Sequence, residues 1–106
     1  MSVADTVRKR KKDLVFIYSH YGVIKQELKL IEELAELQRA LSRYLMATTM
    51  KESDEAIENV TEEIADVIVV ASQILSFNKQ FDENVEKAIN RKIDRQLKRI
   101  EEDDTE

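Results

Sequence analysis

Apolar residues recur at intervals of three and four along nearly the whole chain, the spacing of helices with one buried face. This spacing predicts four helices. The first runs from about Ala4 to Ser19, with Val7, Leu14, Val15 and Ile17 as its main apolar positions. The second, from about Val23 to Met46, gathers Ile24, Leu28, Ile31, Leu34, Ala35, Leu41 and Leu45 into a stripe. At ~1.5 Å per residue it would reach about 35 Å. A third helix, capped by Ser53 or Asp54, carries Ile57, Val60, Ile64, Val67, Ile68, Ala71, Ile74 and Leu75. Beyond Asp66 it is apolar nearly all round, which marks a central, buried helix. The fourth, capped by Asp82, carries Val85, Ala88, Ile89, Ile93, Leu97 and Ile100.

The punctuation agrees with an all-α chain. There is one glycine, Gly22, and no proline, so the usual helix breakers are nearly absent. Gly22 is the one residue suited to a tight break between the first two helices. A length of 106 residues implies a single domain, 1–106, with residues 1–3 and 101–106 as frayed ends. A domain of this size buries a modest share of its surface, and self-association would help.

Composition removes several function classes. Without cysteine there is neither a disulfide framework nor a thiolate zinc site. The polar, basic start lacks the apolar segment of a secretory signal. The uncharged run from Val67 to Asn78 is well short of the roughly twenty apolar residues of a membrane span. A cytoplasmic protein without a membrane role is expected. A net charge of −5 argues against nucleic-acid binding. The basic run Arg8 to Lys12 reads as a solvated helix face rather than a polyanion-binding patch.

The chemistry sits in two acidic motifs, "EELAEL" with Glu32, Glu33 and Glu36, and "EEIADV" with Glu63 and Asp66. Acids three residues apart share a helix face, a spacing common on solvated helices. Two details raise their standing. Glu63 and Asp66 border an apolar segment, where a lone carboxylate is costly without a partner or a metal. The preceding helix offers more acid rather than base, and facing carboxylates repel unless a cation joins them. One detail opposes this: Glu33 lies roughly 100° from the centre of its helix's apolar stripe, with Glu36 further round. The site therefore requires the opposite side, with Leu30, Leu37 and Ala40, to be covered as well. All-oxygen ligation suits Mg²⁺, with Mn²⁺ as a substitute, rather than zinc. His20 belongs to no Glu-x-x-His pair, so a di-iron bundle is excluded, and it reads as a surface or turn histidine.

The ordered pair of motifs resembles the MazG-like, all-α nucleoside triphosphate pyrophosphatases. Their signature sets an EExxE motif and an ExxD motif on adjacent helices, here Glu32, Glu33 and Glu36 followed by Glu63 and Asp66. "NRKIDR" looks like the family's trailing Asn-x-Lys and Arg, at Asn90, Lys92 and Arg95. The similarity spans roughly Gly22 to Arg99. It implies a four-helix MazG-type bundle assembled as a homodimer or homotetramer, and Mg²⁺-dependent hydrolysis of a nucleoside triphosphate to the monophosphate and pyrophosphate. In those terms Glu33, Glu36, Glu63 and Asp66 would be metal ligands. Glu32 would be an auxiliary ligand or the group that positions water. Lys92 and Arg95 would meet phosphate, and Asn90 phosphate or sugar. Tyr18, Tyr21 and Tyr44 could pack in the core or stack on a base. The chain departs from the family in being one short domain without tryptophan. Two rival readings are a phosphoribosyl-ATP pyrophosphatase and a non-catalytic helical interaction module.

Overall fold

A computed structural model describes residues 1–104. The described residues form five helices: α1 (Val3–Lys9), α2 (Lys11–Tyr21), α3 (Val23–Met46), α4 (Met50–Phe77) and α5 (Lys79–Asp104). The chain is thus all-α. None of these helices is long and apolar enough to cross a membrane.

The predicted first helix is two. It bends at Arg10 (φ −95°, ψ 15°), yet the Arg10 amide still reaches Thr6 O and the Leu14 amide Arg10 O, both at 3.0 Å. The start of α1 is tied by Ser2, whose hydroxyl accepts the Asp5 amide while Asp5 accepts the Ser2 amide. That reciprocal pair satisfies backbone amides at the start of α1. Residues 101–104 are helical too, and the last two residues of the tail lie outside the described ones.

Gly22 makes the turn from α2 to α3 at φ 92°, ψ 161°, a backbone region essentially restricted to glycine. The α3 helix then takes the limits that its periodicity predicts. The cap of α4 is Thr49, four residues before the expected Ser53: its hydroxyl accepts the Glu52 amide at 3.1 Å. Glu52 Oε2 in turn accepts from the Thr48 amide at 3.0 Å. Similarly, Asn78 Oδ1 accepts the Phe81 amide at 3.0 Å, so α5 begins before Asp82.

The α4 helix is central, as its apolar run predicts, and packs against α3 and α2. Leu14, Tyr18, Ala40 and Val70 form the buried apolar core, with Tyr18 against Phe77 at 4.7 Å between ring centroids. An equal number of buried residues are polar: Gln26, Glu33, Ser72 and Gln73. The face of α3 turned inward carries Gln26, Glu33 and Ala40, while Ile24, Leu28, Ile31, Leu34, Leu41 and Leu45 are exposed. The α5 helix buries no residue, and Ile89, Ile93, Leu97 and Ile100 line its open side. The radius of gyration, 17.2 Å, exceeds the roughly 13 Å of a compact domain near this length.

Candidate metal centre

Two helices with inward-facing acids meet at this centre. Glu33 sits on the inner side of α3 and is 5% exposed. Glu36, three residues on, falls on the same face and is half-buried, as is Glu63 across the seam on α4. One carboxylate oxygen from each of Glu33, Glu36 and Glu63 lies within 4.8 Å of the other two. Oxygens bound to a single Mg²⁺ stand at most about 4.2 Å apart, so the trio would have to draw closer to share one ion.

The electrostatics of the trio are unbalanced. Glu33 Oε1 accepts from Lys29 Nζ at 3.3 Å, one turn earlier on α3. Glu33 Oε2 and Glu63 Oε2 are buried without a hydrogen-bond partner. Loss of hydration raises the Glu63 carboxyl above its ordinary pKa, and the charges of Glu36, Asp66 and Glu33 push the same way. A buried carboxylate oxygen without a donor is costly. Two of them beside a third acid form a set of hard oxygen donors that a divalent cation would satisfy.

The other acids occupy the rim. Asp66 and Glu32 are exposed, and both line a cavity of about 700 Å³ between α2, α3 and α4 that Glu33 alone of the trio also lines. Asp66 stands outside the group of three mutually close carboxylates, one turn beyond Glu63. The same cavity is lined by Lys25, Lys29, Gln26 and Gln73.

Of the candidate phosphate ligands, Asn90, Lys92 and Arg95 all lie on exposed positions of α5, and none of them lines this cavity. The Asn90 amide instead donates to Glu86 O at 3.3 Å. The cations facing the cavity are Lys25 and Lys29, which sequence reasoning passed over. Lys29 carried a findable signal, since it stands four residues before Glu33 and so shares its helix face. Among the tyrosines, Tyr21 lines the cavity, with Lys25 Nζ 5.9 Å from its ring centroid, whereas Tyr18 is buried in the core. His20 is exposed between the rings of Phe16 and Tyr21 and does not line this cavity.

No protein-family model, curated protein or solved structure matches this chain. The chemistry of the centre therefore rests on its own donors.

Proposed function

We propose that this chain is a Mg²⁺-dependent nucleoside triphosphate pyrophosphohydrolase of MazG type, producing a nucleoside monophosphate and pyrophosphate. The observation that carries the reading is the convergence of Glu33, Glu36 and Glu63 within 4.8 Å, with two buried oxygens unpartnered. An all-oxygen donor set of this kind fits Mg²⁺ or Mn²⁺. Glu33, Glu36 and Glu63 would hold the ion, with Asp66 completing the set from the rim. When bound, Mg²⁺ supplies an activated water and neutralises charge on the departing pyrophosphate.

The chain's own groups supply the rest. Glu32, exposed at the cavity edge, orients water or accepts its proton. Lys29 and Lys25 offer ammonium groups to phosphate oxygens. The cavity volume lies in the range of small-molecule sites, about 300–1,000 Å³. Asn90, Lys92 and Arg95 can serve as phosphate contacts only if α5 of a second copy approaches the cavity. Assembly as a homodimer or homotetramer is part of the proposal, because the apolar stripes of α3 and α5 stay uncovered in one protomer.

A pyrophosphate-release screen across canonical and modified ribo- and deoxyribonucleotides, with Mg²⁺ or Mn²⁺, tests the reading. Release that is lost in Glu36→Gln and Asp66→Asn supports it. No release from any nucleotide refutes it.

A further inference from the structure

The wall of the cavity contains a feature that neither catalysis nor packing requires. Gln26 Nε2 donates to Gln73 Oε1 at 2.7 Å, joining α3 to α4. The two side chains are among the most buried of the described residues, 3% and 2% exposed, yet both line the cavity that Glu33 also lines. Two leucines of similar shape would fill that wall with little change in stability, because replacing both partners of a buried hydrogen bond removes the desolvation cost along with the bond.

Each amide also retains an unused group. A primary amide has two donor hydrogens and an acceptor oxygen. The bond between the pair leaves Gln26 Oε1 as an acceptor and the Gln73 amide nitrogen as a donor. Among the described residues, the buried side-chain atoms without a partner are Glu33 Oε2 and Glu63 Oε2. The two spare amide groups are not among these atoms, and both residues line the cavity. One acceptor and one donor are what the edge of a nucleobase asks for, where a carbonyl or ring nitrogen neighbours an N–H. Rotating both amides together by half a turn reverses their mutual bond and exchanges the order of donor and acceptor.

We infer that the Gln26–Gln73 pair is the base-reading element of the cavity, hydrogen-bonding the edge of a nucleobase held between Tyr21 and the α4 wall at Val69 and Val70. The pair selects for a ring that carries a hydrogen-bonding edge, while the carboxylates act at the phosphate end. Its ability to reverse admits edges of either polarity, so more than one base is accepted, and a ring without an edge is rejected. The inference rests on the nucleotide reading for its class of ligand.

The test uses the full chain without divalent metal and uncharged probes, so that it does not depend on turnover. Uridine, cytidine, adenosine and guanosine are titrated beside a phenyl riboside, which keeps the sugar and a flat ring but has no hydrogen-bonding edge. The side-chain amide resonances of Gln26 and Gln73 are followed by NMR. At least one natural nucleoside should bind about tenfold more tightly than the phenyl riboside, from two bonds of ordinary strength, and should shift both amide resonances. In Gln26→Leu/Gln73→Leu the preference should fall to near parity. Natural nucleosides that bind no better than the phenyl riboside overturn the inference, as does a preference that survives in the double variant. A purely structural role for the pair leaves the preference untouched in that variant. Should nucleosides bind as expected while no nucleotide releases pyrophosphate, the hydrolase reading alone falls. Pyrophosphate release with no edge preference removes the inference alone.

Discussion

The seam between α3 and α4 and the outward stripes of α3 and α5 reverse the ordinary distribution of side chains. The seam holds Gln26, Glu33 and Gln73 at 5% exposure or less, while Ile31 and Leu97 stand at 65% and 60%. Soluble chains rarely bury carboxylates unless they are paired, and large contiguous apolar patches on their surfaces mark contact sites. Both departures occur on one helix. The α3 helix turns its acidic, amide-bearing face toward α4 and its apolar face away. Each region therefore lacks something that one protomer does not supply. The seam wants positive charge, and the stripe wants an apolar cover. In the proposed enzyme, a divalent metal answers the first and a second copy answers the second.

The largest effect is expected at the seam. Glu63→Gln should reduce pyrophosphate release by about a hundredfold or more, since a bound metal contributes several kcal/mol to charge stabilisation. Without metal the same variant should melt higher than the wild type, because it removes one member of a repelling set. The pH dependence has a definite sign. A carboxyl raised above its ordinary value of 4.5 contributes stability while protonated and loses it as pH rises through the raised value. Metal-free wild type should thus lose stability across that window, and the variant should lose less.

The stripe is tested by Leu97→Glu. In a lone protomer an exposed substitution of this kind changes stability by within about 0.5 kcal/mol. If a second copy covers α5, the variant should sediment as a smaller species at a concentration where the wild type is assembled. A wild type that sediments as a monomer throughout would remove the assembly half of the comparison.

Gly22 sets how α2 delivers α3 to the seam. A Cβ at Gly22 meets nothing within 4 Å, so Gly22→Ala isolates the backbone cost of φ 92°. A loss of about 1–3 kcal/mol in denaturant unfolding is expected. The smallest effect belongs to Lys29→Met. The hydrogen bond that Lys29 donates to Glu33 is the main cause raising the Lys29 pKa, so its stabilisation is complete at neutral pH and is lost only as pH climbs through the raised value. The ammonium is half-exposed, which limits what the ion pair contributes, but its removal leaves the buried Glu33 Oε1 without a donor, so it should cost about 1 kcal/mol in the metal-free protein.

Much of the helical layout is legible in the sequence, and its failures have physical causes. The periodicity and Gly22 locate α3 from Val23 to Met46. The bend at Arg10 follows no breaker residue and leaves the flanking i to i−4 bonds in place, so no pattern announces it. The start of α4 was available in Thr49-x-x-Glu52, a capping pattern overshadowed by Ser53 and Asp54. Periodicity also reports that a face is apolar without reporting what covers it. The α3 stripe reads as a packing face, yet in the protomer it points outward. The acidic motifs were visible from spacing, and their meeting across the seam needs the covered side with Leu30, Leu37 and Ala40, which is the side that packs: Ala40 is buried and the two leucines are half-buried. Gln73 left a signal as the lone amide amid Val67 to Leu75, but its partner, 47 residues earlier, cannot be read from one helix alone.

The central claim is that acids of two helices share one divalent cation. Calorimetric titration of Mn²⁺ into the nucleotide-free protein at neutral pH, compared with Glu36→Gln and Glu63→Gln, measures this directly. The expected result is saturable binding in the wild type, weakened at least about tenfold in each variant. Equal binding in all three proteins, or none in the wild type, would contradict it.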